Sequence, residues 1–180
     1  MRIKQNEVSL GKRFGAYLID WYVGALFTAL PISLVGQKLY GTMTNQNITS
    51  FDQPAGLIAG ICGVLLAIYY YFIIPIGKNK GQTFGKKVFK IKIVQLNGEN
   101  ATIRQLFIRQ VIGIMIIEGV MVSASSIWHQ IIMILTGINI VTPLMYIGFI
   151  IVIISAILFI FKGEHRTLHD YLSKTKVINE

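Results

Sequence analysis

The chain has 180 residues, of which 53% are hydrophobic and only 14% charged, with a mean hydropathy of +0.60. Soluble domains carry about 25% charged residues, so this composition excludes an ordinary soluble domain and indicates an integral membrane protein. A formal net charge of +9 would suit nucleic acid, but the cations cluster in an N-terminal arm, a central loop and a C-terminal tail separated by long uncharged runs, the pattern of cytoplasmic flanks under the positive-inside rule.

Anionic lipid headgroups are therefore the expected partner of the basic segments. The single cysteine, Cys62, lies inside an apolar run, so no intramolecular disulfide can form. A cleaved signal peptide fits poorly, because the first apolar run is too long and contains Asp20.

Residues 1–12 form a polar arm with Arg2, Lys4 and Lys12, expected in the cytoplasm. The first span is predicted at about 14–36, opened by Arg13. It meets the roughly 20 apolar residues a bilayer requires, with Pro31 near its far end, where a break is cheap. Asp20 lies about 10 Å of helical rise beyond Arg13. An ionisable group at that depth costs about 2.5–3.5 kcal/mol on insertion scales and normally faces the protein interior or a cavity. Arg13, Tyr17, Asp20 and Gly24 share one helical face, yet Arg13 is two turns away, too far for a tight pair with Asp20 unless both side chains lean together.

Residues 37–54 are rich in Asn, Gln, Thr and Ser, with Lys38 as the sole cation, and suit an outside loop. The triplet Asn47-Ile48-Thr49 matches a glycosylation acceptor, a pattern too common to carry weight. The second span is predicted at about 55–76, where Gly56, Gly60 and Gly63 give a small-residue surface for close helix packing. Tyr69, Tyr70 and Tyr71 fit an inner aromatic belt.

The loop 77–105 carries Lys78, Lys80, Lys86, Lys87, Lys90, Lys92 and Arg104 against Glu99 alone, and is placed in the cytoplasm. Alternating Lys90, Ile91, Lys92 and Ile93 followed by Asn97-Gly98 predicts a small β-hairpin between the second and third spans. The glycine-rich stretch before it lacks the spacing of a phosphate-cradling loop.

Residues 106–161 are long enough for two spans, predicted at about 106–125 and 144–161. Arg109 marks the inner end of the third. Glu118, about 13 Å further along, is expected near the bilayer centre. The intervening segment with Trp128, His129, Gln130, Asn139 and Pro143 is left as an outer turn or a re-entrant piece. Of the 17 Lys and Arg, all but Lys38 then fall on the inner side, and both termini are cytoplasmic. The tail 162–180 is basic, and Thr175 to Ile178 has strand character that could add to the hairpin. The expectation is an all-α membrane protein of four transmembrane helices with a small cytoplasmic hairpin, in one domain over 1–180, in the plasma membrane.

Arg13, Asp20 and the tail sequence Arg166-Thr167-Leu168-His169-Asp170 resemble the RDD family of membrane proteins, named for one arginine and two aspartates. Gly81-Gln82-Thr83-Phe84-Gly85-Lys86-Lys87 and the segment from Lys90 to Gln110 extend the likeness over nearly the whole chain. The resemblance implies Asp170 as the second aspartate. For function it implies either transport, with sodium–proton exchange in some members, or service as a partner or regulator of membrane proteins. Glu118 stands outside the name-giving set.

Transport comes first on the depth of the carboxylates. A monovalent cation/proton antiporter would use Asp20 and Glu118, with Thr28 and backbone carbonyls adding neutral oxygens. Four helices are thin for a translocation path, so this reading needs a homo-oligomer. The alternative is a non-transporting module whose carboxylates tie the bundle together and whose basic face binds another membrane protein or anionic lipid. In it Arg13 pairs with Asp170, and Lys86, Lys87, Arg166 and His169 belong to the cytoplasmic interface. An enzyme is not expected: no nucleophile set, paired cysteines or dinucleotide fingerprint is present. His165 and His169 lack the HExxH context of a metal site, so no metal or cofactor is assigned.

Overall fold

The first helix, α1 (Leu10–Tyr40), extends about 46 Å at ~1.5 Å per residue, beyond the predicted 14–36 at both ends. A computed structural model of the chain describes residues 8–162 and 165–180. Arg2 and Lys4 of the predicted arm, and the Lys78 side chain, lie outside the described residues. The Ser9 hydroxyl accepts from the Lys12 amide to start α1, and Gly41, at φ +69°, ends it in a left-handed turn. Its buried residues recur every fourth position: Ala16, Asp20, Gly24, Thr28, Ile32 and Gly36. That narrow stripe of mostly small side chains lets α2 (Ala55–Ile68) lie close against it.

The glycines of α2 serve packing inside the chain. A Cβ at Gly63 would sit 2.7 Å from the Thr28 carbonyl of α1. At Gly60 it would meet Ile48 of the connecting loop at 2.5 Å, and at Gly56 it would strike the Ile48 carbonyl. Ile48 is fully buried, and its amide donates to Gln130 Oε1, so the loop plugs the far end of the bundle. The Asn47 side chain is engaged locally, accepting from the Thr49 amide.

Past Ile68 the helix widens into a π turn, Tyr69–Ile73, and the combined span Ala55–Ile73 is 19 residues long. After a short α3 (Phe84–Val88) comes β1 (Ile91–Gln95). The predicted local hairpin is corrected here. The Asn97-Gly98 turn forms, with the Gln95 amide donating to the Glu99 carbonyl, but the returning chain makes only an isolated bridge, Val94 to Asn100. The strand's partner is β2 (Thr175–Asn179) from the tail, antiparallel with Ile93 opposite Val177. The reason is apolar: Ile91, Ile93 and Val177 join Val8, Ala16 and Leu106 in one core. The segment after the turn brings a single small side chain, Ala101, to the edge of that core, and Thr102 is instead taken as the capping-box residue of α4 (Ile103–Phe107).

The predicted continuous third span, 106–125, is also corrected. From α4 the chain winds as a π-helix over Ile108–Ile117, stops at Glu118, and resumes in α5 (Ser123–Thr136). The Met115 carbonyl freed by the break accepts from the Ser125 hydroxyl at 2.7 Å and Trp128 Nε1 at 3.0 Å, the kind of re-satisfaction an interrupted helix needs in an apolar setting. One end of this interrupted path touches the tail, Gln105 to the Lys174 carbonyl, and the other touches the far loop through Gln130. Helix α6 (Val141–Phe161) follows, then α7 (Leu168–Leu172) and β2.

Among the described residues three helices, α1, Ala55–Ile73 and α6, are long and apolar enough to cross a membrane, where the sequence led to an expectation of four. On α6 only Gly148 and Ser155 are buried, so nearly all of its apolar surface faces outward. Both described ends of the chain lie at one end of the bundle, where Lys12 Nζ donates to Asn179 Oδ1 and Arg13 to the Val177 carbonyl.

Candidate functional site

Three buried or half-buried carboxylates gather at the sheet end of the bundle, each held by a different element. Asp20, 3% exposed, sits on the buried stripe of α1. Its Oδ1 accepts from the Tyr70 hydroxyl at 2.7 Å and the Gly85 amide at 2.8 Å; its Oδ2 accepts from the Thr83 hydroxyl and from Lys86 Nζ at 2.8 Å. An ionised carboxylate offers about four acceptor sites, and here all are taken. The glycine is required: a Cβ at Gly85 would lie 2.3 Å from the Ala16 carbonyl. The motif from Gly81 to Lys87 thus folds α3 onto the first helix through Asp20.

Asp170, fully buried on α7, is the second. Its Oδ1 accepts from Arg109 Nε at 3.1 Å and Nη2 at 2.8 Å. Its Oδ2 accepts from the Thr167 amide and hydroxyl and lies 3.6 Å from Arg13 Nη1. Burial alone pushes the Asp170 carboxyl up. Arg109, then His169 and Arg13, and the Thr167 hydroxyl outweigh it and hold the group well below the usual carboxylate range. Arg13 also donates to the carbonyls of His165 and Val177, so one guanidinium joins α1, α7 and β2. Arg166 donates to the carbonyls of Thr175 and Asp170 and stacks over the Tyr171 ring.

Glu118, at the helix break, is the third. It accepts from the Ser155 hydroxyl at 2.8 Å and the His169 amide at 3.3 Å, and its Oε2 faces His169 Nδ1 at 2.8 Å. The other ring nitrogen meets the Thr167 hydroxyl at 2.8 Å. Gly113 permits this approach, since a Cβ there would be 2.6 Å from His169 Cβ. Both π segments lie at this network, Tyr70 and Tyr71 in one and Arg109 and Gln110 in the other, where the wider winding re-aims side chains.

A cavity of about 310 Å³ lies between α1, the π-helix, α6 and α7. Asp20, Glu118, Arg13, Arg109, Gln110 and Asp170 all border it, but most of its lining is apolar, from residues such as Trp21, Ile114, Val152 and Phe159.

Of the predicted site residues, Asp20, Glu118, Arg13, Asp170, His169 and Lys86 converge on this cavity. Thr28 does not: its hydroxyl donates back to the Gly24 carbonyl, two turns above Asp20. Lys87 is exposed on α3. Arg13 finds Asp170 rather than Asp20, whose cation is Lys86. His165 faces the Phe159 carbonyl, and no group of three metal-ligating side chains occurs among the described residues. Sequence reasoning missed Arg109 as the principal partner of Asp170 and Tyr70 and Thr83 as partners of Asp20. The available signal was a cation within a predicted apolar span with no acid at helical spacing beside it.

A bundle of apolar helices whose arginine and two aspartates lock the tail and the central loop to the first helix defines the class. The chain belongs to the RDD family, which it matches over residues 8–174. It is similar to an uncharacterized protein of Bacillus subtilis (strain 168), YxaI, at 24% identity over 163 residues, covering 91% of this chain and 83% of that one. No solved structure matches the chain.

Proposed function

We propose that the chain is a non-transporting, non-catalytic module of the plasma membrane that presents a rigid basic cytoplasmic face to anionic lipid headgroups. The observation that carries this reading is the pairing of both buried aspartates with internal cations. Asp20 is matched by Lys86 and three neutral donors, Asp170 by Arg109 and Arg13, and Glu118 by Ser155 and His169. A cation-exchange site needs acceptor oxygens free to take an ion. At Asp20 and Asp170 an incoming cation would first have to displace an internal ammonium or guanidinium, and the desolvated charge left behind is costly.

The carboxylates instead act as staples. They fix α3, α7 and β2 against α1, and so fix the positions of Lys80, Lys87, Lys90, Arg104 and Lys174, all exposed at the sheet end. Each basic residue near an anionic leaflet contributes about 1 kcal/mol. By the positive-inside rule this end is cytoplasmic and both termini lie inside.

The test is lipid enrichment around the protein in nanodiscs of mixed phosphatidylglycerol and phosphatidylcholine. Changing Lys87, Lys90, Arg104 and Lys174 together to Gln should abolish the anionic enrichment. Unchanged enrichment would refute the reading. One observation favours cation/proton exchange as a second reading: Asp20 and Glu118 border the same cavity.

A further inference from the structure

The chain contains one short structure twice. Thr83 stands at the N-cap of the five-residue α3, Phe89 and Lys90 turn, and the five-residue β1 follows. Thr167 stands at the N-cap of the five-residue α7, Ser173 and Lys174 turn, and the five-residue β2 follows. The turns match, with Lys90 at φ +52° and Lys174 at φ +53°. So do the bonds behind the strands: Gln82 Nε2 donates to the Ile91 carbonyl, and Arg166 Nε to its counterpart, the Thr175 carbonyl. Ile93 and Val177, the equivalent central residues, lie opposite each other in the sheet, which puts a local two-fold axis between them.

The repeat separates what the packing needs from what has been added to it. Gly85 brings α3 against α1, whereas α7 meets the π-helix with His169 at the same position, and Gly113 opposite makes the room. A small residue at either face satisfies the packing, so the imidazole serves something else. It sits between Glu118 at the helix break and Thr167.

The hydrogen-bond chain through that ring is short of a proton. Glu118 Oε2 lies 2.8 Å from His169 Nδ1, His169 Nε2 lies 2.8 Å from the Thr167 hydroxyl, and that hydroxyl donates to Asp170 Oδ2 at 2.9 Å. Asp170 is an ionised acceptor, bound by Arg109 and close to Arg13. Thr167 therefore gives its single proton to Asp170 and can only accept from Nε2. Glu118 accepts at Oε1 from the Ser155 hydroxyl and the His169 amide, and as a carboxylate it offers Nδ1 nothing but an acceptor. A neutral imidazole has one N–H for these two acceptors. The remaining charged and titratable groups around the pair are Arg109 on the π-helix and Arg13 and Tyr17 on α1; Asp20 and Lys86, across the cavity, are matched to each other.

We infer that docking of the tail takes up one proton, held on His169 between Glu118 and Thr167, so that the contact of α7 with the helix break is a proton-sensitive latch. An undocked imidazole gives up its second proton at about pH 6.5. Above that pH the docked tail holds one proton more than the undocked tail, so docking is complete in mild acid and weakens as pH rises. The latch acts on the tail and not on lipid, so it stands or falls separately from the basic face.

Hydrogen exchange of the β2 amides in the full chain in nanodiscs, corrected for the intrinsic pH dependence of exchange, tests the latch beside nitrogen-15 spectra of the His169 ring. In the parent, protection should fall by at least about tenfold between about pH 6 and about pH 9, with a slope of no more than about one proton. While the tail is docked, both ring nitrogens should carry protons. Glu118→Gln offers an amide N–H to Nδ1, so a neutral ring completes the chain; its protection should lose the pH dependence, and one ring nitrogen should be bare. His169→Gln, which does not titrate, should flatten the profile as well. Equal pH slopes in the parent and Glu118→Gln, or a bare ring nitrogen in the docked parent, would overturn the latch.

Discussion

Replacing Asp170 by Asn removes one charge and almost no volume, and it isolates the charge at the centre of the network. In the parent this side chain is fully buried, accepts two bonds from Arg109 and lies within ion-pair distance of Arg13. Removing one member of a buried pair costs about 3–5 kcal/mol, because the other charge is left uncompensated. Asn keeps an acceptor oxygen for one guanidinium, so the lower end applies, about 3 kcal/mol. At 1.36 kcal/mol per tenfold, that is on the order of 100-fold in the equilibrium for undocking α7 and β2.

The assay is hydrogen exchange of the β2 amides in detergent or nanodiscs, since the antiparallel ladder from Ile91–Asn179 to Gln95–Thr175 exists only while the tail is docked. Protection across Thr175–Asn179 should fall by that order in Asp170→Asn. Arg109→Gln should act similarly, and Arg13→Gln less, because its contact is longer. Exposed Lys174→Gln serves as the control and should change nothing. Protection in Asp170→Asn equal to the parent's would refute the role given to the charge.

The pH dependence follows from the same group. A folded-state pKa held below the unfolded value contributes stability that is complete above the ordinary carboxylate pKa, about 3.9, and is lost as pH falls towards the folded value. The difference in β2 protection between the parent and Asp170→Asn should therefore be flat from neutral to mildly acid pH and shrink only below about 4; a difference that vanished near neutrality would contradict the pairing. Gly85→Ala should destabilise by about 1–3 kcal/mol, as overpacking does, because its Cβ would meet the Ala16 carbonyl and Asp20 Oδ1; a melting temperature equal to the parent's would remove the close approach from the account. In a Cys62→Ala background, a cysteine at Thr44 should react with an impermeant thiol reagent from outside and one at Asn97 should not. The reverse labelling would invert the topology.

Apolar run length made α1, the second span and α6 legible, and the tail strand was visible in Thr175 to Ile178. The Arg13–Asp170 contact was reachable from the motif order. The partners that decide the chemistry were not, because they are set by tertiary packing. Asp20 meets Lys86 across 66 positions, and Asp170 meets Arg109 across 61. Arg109 read as an ordinary helix-end cation because a cation at a span terminus needs no special partner. The Asn97-Gly98 turn was real, but register follows the hydrophobic pattern, and the segment after the turn brings one small side chain, Ala101, to the core where β2 brings Val177. The break at Glu118 left little trace, since every residue around it is compatible with a continuous helix except Gly119.

The claim that these carboxylates are staples rather than exchange sites is tested most directly by proton flux in sealed liposomes holding the purified protein. Sodium, lithium or potassium is added to the parent and to Asp20→Asn. No cation-triggered flux is expected from correctly inserted protein of either kind, with Asp20→Asn less stable than the parent. Cation-triggered flux in the parent that disappears in Asp20→Asn would contradict it and make Asp20 a transport carboxylate.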